Sequence, residues 1–390
     1  MEFDRVSDFL GSKTMNPRFS ATLLIVLGSL FVGCEKVPTF QEITGQEAAP
    51  KKPVAVTSPV VSKDTPVVTA PVQPPPIVED PAAVMAILTR SAGATLTDQD
   101  IARATKLPSI LEELKALNIS ASAVTDEGIR MLSPFAALTQ LNMASLRING
   151  AGLDGLQPLD SLRELSMVSV QMQSSAGWEH LSKLSQVETL NLTLTNITDA
   201  EIPALLKMTG LKDLNIGSTS ITDAGLAQLV VMENLQILRM EGTRKINGTG
   251  LKAFAQSKLK PPLRCLYAAN TPLSREGMSN VKRIAGLEVF DNSLTGLNDQ
   301  LFFELKGATN LKTLAVGSNN LSAASGPTIQ SMRNLENLDL RQNPVGSQVL
   351  TAIAKLTDLR TLNLTKTGCT PANVQDFRRL RKNCEVTFEQ

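Results

Sequence analysis

The chain has 390 residues, of which 42% are hydrophobic and only 4% aromatic, and its formal net charge is +1. A chain this close to neutral has no overall charge with which to attract a polyanion, so we expect no nucleic-acid partner. The chain has a single histidine, His180, which argues against histidine-based catalysis and against metal sites rich in histidine.

The N-terminal segment has the pattern of a signal peptide, which we predict over residues 1–34. Residues 21–32 read ATLLIVLGSLFV and carry no charge, while Lys13 and Arg18 precede them. Twelve such residues are too few to span a bilayer and suit the apolar region of a signal peptide. The run ends in Gly33 and Cys34, which resembles the bacterial lipoprotein signal, although Phe31 stands where that signal usually has leucine. The resemblance implies that Cys34 is lipidated.

This interpretation predicts a protein in the cell envelope, anchored to a membrane by lipid and either periplasmic or exposed at the surface. A simple secretory signal, an uncleaved hydrophobic anchor and an ordinary buried helix are the alternatives, and translation starts at Met1 or at Met15. Residues 35–80 follow with a proline every few positions, as in KKPVAVTSPVVSKDTPVV. Because proline lacks an N–H group and disfavours helix in the residue before it, we predict a disordered, extended tether here.

The remainder of the chain is built from a repeat that reads L-x-x-L-x-L-x-x-T-x-I-T-D-x-G-L-x-x-L. Its first positions are Leu114, Leu138, Leu162, Val187, Leu211, Leu235, Leu263, Leu287, Leu311, Leu335 and Leu359. These eleven copies, numbered here as repeats one to eleven, are 24 residues apart except for one spacing of 25 and one of 28. A fixed period of this length is typical of a solenoid in which each repeat packs on its neighbours.

The repeat resembles the leucine-rich-repeat family, closest to bacterial 24-residue repeats that carry T-D-A-G-L and to the ribonuclease-inhibitor-like class. Apolar positions 4 and 6 alternate with polar ones, which predicts a strand. Position 9 is threonine or asparagine in repeats four to eleven, and position 12 has the residue types that cap helices. We therefore expect an α/β leucine-rich-repeat solenoid, or horseshoe, over residues 114–376, with a parallel concave sheet and short convex helices.

Both ends of such a solenoid need a polar cover. We predict a helical N-terminal cap over residues 81–113, in which Thr97 and Asp100 form a capping box, and a C-terminal cap over residues 377–390. Four basic residues near the C-terminus (Arg378, Arg379, Arg381 and Lys382) are interpreted either as a basic patch or as the solvated side of a final helix. Cys369 takes an apolar position, and a disulfide between Cys369 and Cys384 is left open.

No motif for catalysis or for a cofactor occurs in the sequence. Phosphate-binding loops, nucleophile elbows and zinc-protease helices are all absent, and the cysteines have no zinc-binding spacing. His180 is expected on the convex surface. We therefore predict no enzyme activity, no catalytic residues, no metal and no cofactor.

The concave face is the candidate binding surface, because positions 3, 5 and 7 of each repeat lie on it. In repeats six to eight the face carries larger and more charged residues than elsewhere: Arg239, Glu241, Arg264, Tyr267, Glu288 and Asp291. Tyrosine and arginine are enriched among residues that dominate binding energy, so a contact site is one interpretation. Mutual ion pairing on a solvated face is the other. In either case these side chains are expected outside the core, so that truncating Tyr267 and Arg239 barely changes stability.

Leucine-rich repeats in other proteins mostly bind partners, and by that analogy we predict a non-catalytic scaffold that binds a protein or peptide on its concave face. The alternative is a structural envelope lipoprotein that acts by self-association or by contact with the wall.

Overall fold

The computed structural model describes residues 80–89, 96–257 and 263–390. The predicted signal peptide, the lipidation site Cys34 and the Pro-rich tether, apart from Asp80, lie outside the described residues. They therefore remain predictions.

The described residues contain one parallel sheet whose strands follow the order of the chain. The strands are β1 (Ala116–Asn118), β2 (Gln140–Asn142), β3 (Glu164–Ser166), β4 (Thr189–Asn191), β5 (Asp213–Asn215), β6 (Ile237–Arg239), β7 (Cys265–Tyr267), β8 (Val289–Asp291), β9 (Thr313–Ala315), β10 (Asn337–Asp339), β11 (Thr361–Asn363) and β12 (Glu385–Thr387). Each strand pairs with the next one along the chain, from β1 to β12. The first eleven strands fall at positions 3 to 5 of the eleven repeats, as the pattern predicts.

Short helices connect successive strands. The α-helices are α1 (Pro81–Leu88), α2 (Asp98–Ala104), α3 (Pro108–Glu113), α4 (Asp126–Arg130), α5 (Ser175–Leu181), α6 (Ile202–Leu205), α7 (Asp223–Gln228), α8 (Leu251–Gln256), α9 (Arg275–Arg283), α10 (Asp299–Phe302), α11 (Gly326–Gln330), α12 (Val349–Ile353) and α13 (Pro371–Leu380). Several connections contain 3₁₀ turns: Ala151–Leu156, Asp199–Glu201, Leu229–Val231, Phe303–Leu305 and Ala323–Ser325. With strands of three residues and helices of at most ten, each repeat buries its apolar face only by stacking on its neighbours.

The core is a stack of leucine layers between the sheet and the helices. Leu214 of β5 and Ile216 immediately after it, at positions 4 and 6, are both fully buried, and so is Leu226 of α7 at position 16. Positions 4 and 6 of the two neighbouring repeats belong to the same continuous hydrophobic cluster. The opposite side of the sheet carries positions 3, 5 and 7, and we call it the outer sheet face.

In repeats four to eleven the side chain at position 9 closes the turn from inside, as the sequence predicts. Thr243, fully buried, donates a hydrogen bond to the carbonyl of Met240. Asn343, also fully buried, donates to the carbonyls of Val316 and Leu340 and accepts from the N–H of Leu321. A buried carbonyl without such a partner would be costly, so these side chains satisfy the backbone where the strand ends.

The aspartate at position 13 links one repeat to the next, which the sequence alone did not suggest. Asp199 accepts hydrogen bonds at 2.8 Å from the N–H of Thr222 and at 2.5 Å from its hydroxyl, although Thr222 belongs to the following repeat. Asp223 likewise accepts from the N–H groups of Asn247 and Gly250 in the repeat after its own. We call this contact the aspartate clasp. It adds to the favourable position of these carboxylates at the N-terminus of their own helix.

The two ends of the solenoid have covers of different kinds. At the N-terminal end, the N–H and hydroxyl of Thr97 both donate to the carboxylate of Asp100, which confirms the capping box. At the C-terminal end, β12 adds a twelfth strand that the repeat alignment did not include. Arg378 donates to the carbonyl of Val386 in β12, and Arg381 donates to carbonyls that follow α12. These two arginines therefore bind the backbone and do not form a free basic patch.

Several smaller expectations also meet the structure. Cys369 is buried in the core, as its apolar position predicts, and both Cys369 and Cys384 are free thiols. Among the described residues, no helix combines the length and the apolar content needed to cross a bilayer.

Candidate functional site

The strand register brings the central candidate residues side by side. Arg239 of β6 pairs in register with Tyr267 of β7, and Tyr267 pairs with Asp291 of β8. All three occupy position 5, so their side chains project from the outer sheet face in one row. Adjacent strands lie about 4.8 Å apart, which places these groups within contact distance of one another. The predicted contiguity of these three residues is confirmed.

Arg239 is held from two sides. Its Nε lies 3.2 Å from one carboxylate oxygen of Asp213, and one terminal nitrogen lies 3.2 Å from the other. Asp213 is the first residue of β5, at position 3 of its repeat. Its guanidinium carbon also lies 4.4 Å from the centre of the Tyr267 ring. A guanidinium fixed by a two-point ion pair and stacked on an aromatic ring has little freedom to reorient. Arg239 is therefore a preorganised cation on this face.

Tyr267 is buried, which corrects the expectation that it is an exposed anchor. Only 3% of its surface is exposed, and Cys265 and Val289 on the same face are also buried. None of the three belongs to the continuous hydrophobic core, so the outer sheet face has its own buried residues in repeats seven and eight. Burial raises the pKa of Tyr267 to about 12, against the opposing charge of Arg239. Truncating this ring should cost stability, contrary to the expectation from sequence.

The acidic groups beside this row are poorly solvated. Burial raises the pKa of Glu241, at position 7 after β6, to about 7; the charge of Arg239 opposes this rise and that of Asp291 adds to it. Burial also raises the pKa of Asp291, although the backbone N–H of Ser293 donates to its carboxylate at 2.9 Å. Neither carboxylate lies within ion-pair distance of a basic side chain among the described residues. Both therefore favour a cationic neighbour.

Arg264 and Glu288 belong to a different row, which corrects their place in the candidate patch. They stand at position 2, one residue before β7 and β8, and they pair with each other at 2.8 Å. Glu288 also lies 3.3 Å from Lys312 at the same position of the next repeat. Although burial opposes it, hydrogen bonding to Arg264 and Lys312 lowers the pKa of Glu288 below its ordinary value. For these two residues, mutual ion pairing on a solvated face is the better interpretation.

The same position-2 row continues on both sides. Glu188 lies 2.7 Å from Lys212 and 3.9 Å from Arg163, and Glu336 lies 3.3 Å from Arg360. Exposed pairs of this kind contribute little to stability, at most about 1 kcal/mol each. Each carboxylate of the row already has a basic partner, so the row is a poor candidate for binding a cationic partner.

Sequence reasoning missed four charged residues of the outer sheet face. Asp213 is the ion-pair partner of Arg239, Asp339 on β10 lies 3.3 Å from Arg341, and Glu164 on β3 accepts from the amide of Gln140. All four missed residues (Glu164, Asp213, Asp339 and Arg341) occupy positions 3, 5 or 7 of their repeats, so listing those positions for repeats three, five and ten would have found them.

No candidate metal site appears within the described ranges. Groups of three or more histidine, cysteine, aspartate or glutamate side chains that could hold an ion do not occur there. His180, at the end of α5, is half-buried, and its Nδ1 lies 3.3 Å from the amide nitrogen of Gln157. It has no nucleophile or second base as a neighbour in these contacts.

Comparison with known proteins agrees with this architecture. The family model for the leucine-rich repeat matches residues 309–368. A sequence search of curated proteins found no match. Among solved structures, an internalin of Listeria monocytogenes is similar with a TM-score of 0.49 and 19% identity, over 74% of this chain and 93% of that chain.

Two further structures are similar over part of their own length. The mouse RP105/MD-1 complex gives a TM-score of 0.50 and 19% identity over 73% of this chain and 48% of that chain. The complex of TLR13 with ssRNA13 gives a TM-score of 0.46 and 16% identity over 66% of this chain and 43% of that chain. At these identities the likeness concerns the fold alone, and the fold is a leucine-rich-repeat solenoid.

Proposed function

We propose that this leucine-rich-repeat protein is a non-catalytic scaffold that binds a protein or peptide on its outer sheet face and is held in the cell envelope by a lipid on Cys34. The observation that carries the binding proposal is the row formed by Arg239, Tyr267 and Asp291 across three paired strands. It combines a fixed cation with an acidic group that has no basic partner among the described residues. A solvated face that only keeps a protein soluble does not require this arrangement.

The contact surface is narrower than the sequence suggests. Glu241 and Asp291 supply acidic groups whose ionised form a cationic partner would stabilise, and Arg239 supplies a directed cation. Tyr267 lies beneath the guanidinium of Arg239 and acts by orienting it. Arg264 is already paired with Glu288 and falls outside this surface. Truncation of residues at the centre of an interface commonly costs 2 kcal/mol or more in binding, about a thirtyfold loss of affinity.

A photo-crosslinking side chain introduced at Asn215 tests this proposal. Asn215 is at position 5 of β5, next to Arg239 in register, whereas Glu276 on α9 is exposed on the helical side and serves as the matched control position. In intact cells, position 215 should crosslink one defined protein that position 276 does not. Charge reversal by Asp291→Lys should abolish that crosslink, and Glu276→Lys should leave it unchanged.

The outcomes separate the two functions that the sequence suggests. Crosslinks between two copies of this chain would show that the outer sheet face mediates self-association and would refute binding of another protein there. Identical products from positions 215 and 276 would refute a role for the outer sheet face.

The anchoring proposal is supported by the sequence alone, through the apolar run that ends at Cys34 and the Pro-rich stretch after it. Each buried CH₂ of an acyl chain contributes about 0.8 kcal/mol, so two or more chains hold a protein firmly at a membrane. A Cys34→Ser variant should lose metabolic labelling by an alkyne fatty acid and should leave the membrane fraction or stay unprocessed. Cys384→Ser, which removes a thiol at the other end of the chain, should retain both properties. Unchanged labelling of the Cys34→Ser variant would refute the proposal.

A further inference from the structure

A polar cleft lies between the loops that follow β2 and β3. It is three repeats before the row of Arg239, Tyr267 and Asp291, which we call the outer-face row. Its volume is about 460 Å³, which lies in the range of small-ligand sites. Leu146 and Ile148 in its lining are themselves buried, while Ser145 and Arg147 are exposed. The cleft therefore presents polar groups to an incoming molecule over an apolar base.

Arg147 is the charged side chain of the cleft that has no partner among the described residues. The carboxylate of Asp126 also lines it, but accepts hydrogen bonds at 2.9 to 3.0 Å from the N–H groups of Asn149, Gly150 and Gly152. Arg147, by contrast, makes no hydrogen bond or ion pair with any residue in the described part of the chain. Elsewhere arginines are commonly paired, as Arg130 is with Asp154. The cleft therefore offers a guanidinium that is unpaired within the described residues, while the negative charge of Asp126 is bound by backbone N–H groups.

The other polar groups are mostly available donors. The hydroxyls of Ser145 and Ser169 make no hydrogen bond within the described residues. Asn149 uses its amide oxygen to accept from the N–H of Ala151, which leaves its NH₂ group unused. Gln171 donates its NH₂ group to the carbonyl of Leu194 and so keeps its oxygen as an acceptor. A ligand with acidic oxygens and some N–H groups would satisfy this set.

The repeat itself does not account for these residues. Position 12 is a helix-capping threonine in regular repeats, as Thr222 is, and its N–H and hydroxyl bind the preceding aspartate. Repeat three has Gln173 there, while α5 is capped one residue later by Ser174. Gln173 makes no hydrogen bond to the described residues and lines the cleft. Folding of the solenoid therefore requires neither Arg147 nor Gln173.

We propose that this cleft binds an acidic peptide segment, with Arg147 paired to a carboxylate of an aspartate or glutamate side chain. The planar guanidinium matches a carboxylate with two parallel hydrogen bonds. The amide groups of Asn149, Gln171 and Gln173 complement the N–H and C=O groups of a peptide backbone. None of the described residues that line the cleft is aromatic, so among them it lacks the ring on which sugars usually stack. This site is separate from the outer-face row of repeats six to eight and does not depend on the function proposed above.

The test is titration of the full chain with a fluorescent, N-acetylated tetraglutamate peptide, followed by anisotropy at low salt. We expect saturable binding that Arg147→Gln weakens by about tenfold or more, as the loss of a charged two-point contact implies. The matched control is Arg244→Gln, because Arg244 has the same repeat position, is also exposed and makes no described ion pair. This variant should bind like the parent protein. Circular dichroism should show that both variants fold.

Each alternative has its own result. No saturation by tetraglutamate, or equal weakening by the two variants, would refute the proposal. Full displacement by inorganic sulfate at the same concentration would show a nonspecific anion site and would also refute it. Binding of a glucuronic acid trisaccharide without binding of tetraglutamate would refute the peptide proposal and would identify an acidic sugar as the kind of ligand that the cleft takes. Tetraglutamine should fail to displace the bound peptide.

Discussion

Replacing Asp199 by alanine tests the aspartate clasp, because this residue binds Thr222 of the following repeat through both of its carboxylate oxygens. Hydrogen bonds to charged groups contribute roughly 1.5 to 3 kcal/mol each. Both bonds are only partly buried, so water replaces part of the loss, and we expect a decrease of about 3 kcal/mol in the free energy of unfolding. Asp160→Ala, which removes an exposed carboxylate with no described side-chain partner, should cost less than about 0.5 kcal/mol.

Urea unfolding followed by far-ultraviolet circular dichroism measures the difference. A cycle with Thr222→Ala separates the link between repeats from the effect of Asp199 on its own helix, because only the link requires both side chains. We expect a coupling energy of at least about 1 kcal/mol between the two changes. Hydrogen exchange adds a local measurement, since the amide of Thr222 should lose protection in Asp199→Ala. Coincident unfolding curves for the two aspartate variants, or additive changes in the cycle, would contradict the reasoning.

Three further predictions concern the core, the turns and the outer sheet face. Leu214→Ala removes a fully buried side chain and should cost roughly 2 to 5 kcal/mol, whereas Lys212→Ala removes only an exposed ion pair and should cost at most about 1 kcal/mol; similar urea midpoints would mean that the repeat register is wrong. Asn343→Ala leaves the carbonyl of Leu340 and the N–H of Leu321 unsatisfied, whereas the carbonyl of Val316 still accepts from Asn319. It should cost at least about 2 kcal/mol in the same unfolding curves, and a cost near zero would contradict its structural role. The pKa of Glu241 is raised from 4.5 to about 7, so the folded state prefers the protonated form and loses stability as pH rises through this window. Glutamine does not titrate, so the stability of Glu241→Gln relative to the parent should increase as the pH rises from 4.5 to 7. A difference between the two proteins that stays constant across this range would refute the shift in pKa.

The sequence predicts the backbone of this protein well, because every repeat needs the same buried positions. The spacing of leucines places β1 to β11, and threonine or asparagine at position 9 predicts the buried turn. β12 was missed because its repeat has Asn383 where the others have leucine or valine. Contacts between repeats were harder to predict. The clasp from Asp199 to Thr222 joins residues 23 apart in the sequence. Each of the two residues is also a type expected at the start of its own helix, so the sequence gives no reason to look for a contact between them.

The candidate site was predicted only in part for a similar reason. Position 5 places Arg239, Tyr267 and Asp291 in one row, and the register confirms this. Arg264 and Glu288 were assigned to the same row although they precede their strands by one residue. A shift of one position along a strand is enough to move a side chain to another row. The burial of Tyr267 cannot be predicted from the repeat pattern. That pattern identifies the positions that pack in the core between repeats, and position 5 is not one of them.

The distribution of the aspartate clasp divides the solenoid into segments that should separate in stages when the chain is pulled from its ends. Clasps join the N-terminal cap to repeats one and two, repeat four to repeats five and six, and repeat eight to repeat nine. In the described residues the junctions around repeats three and seven, and those after repeat nine, have no such aspartate. Stretching a single molecule should therefore extend it in several discrete steps, with the first ruptures at the unclasped junctions. The protein would then lengthen under load by opening a few repeats while the clasped segments keep their fold.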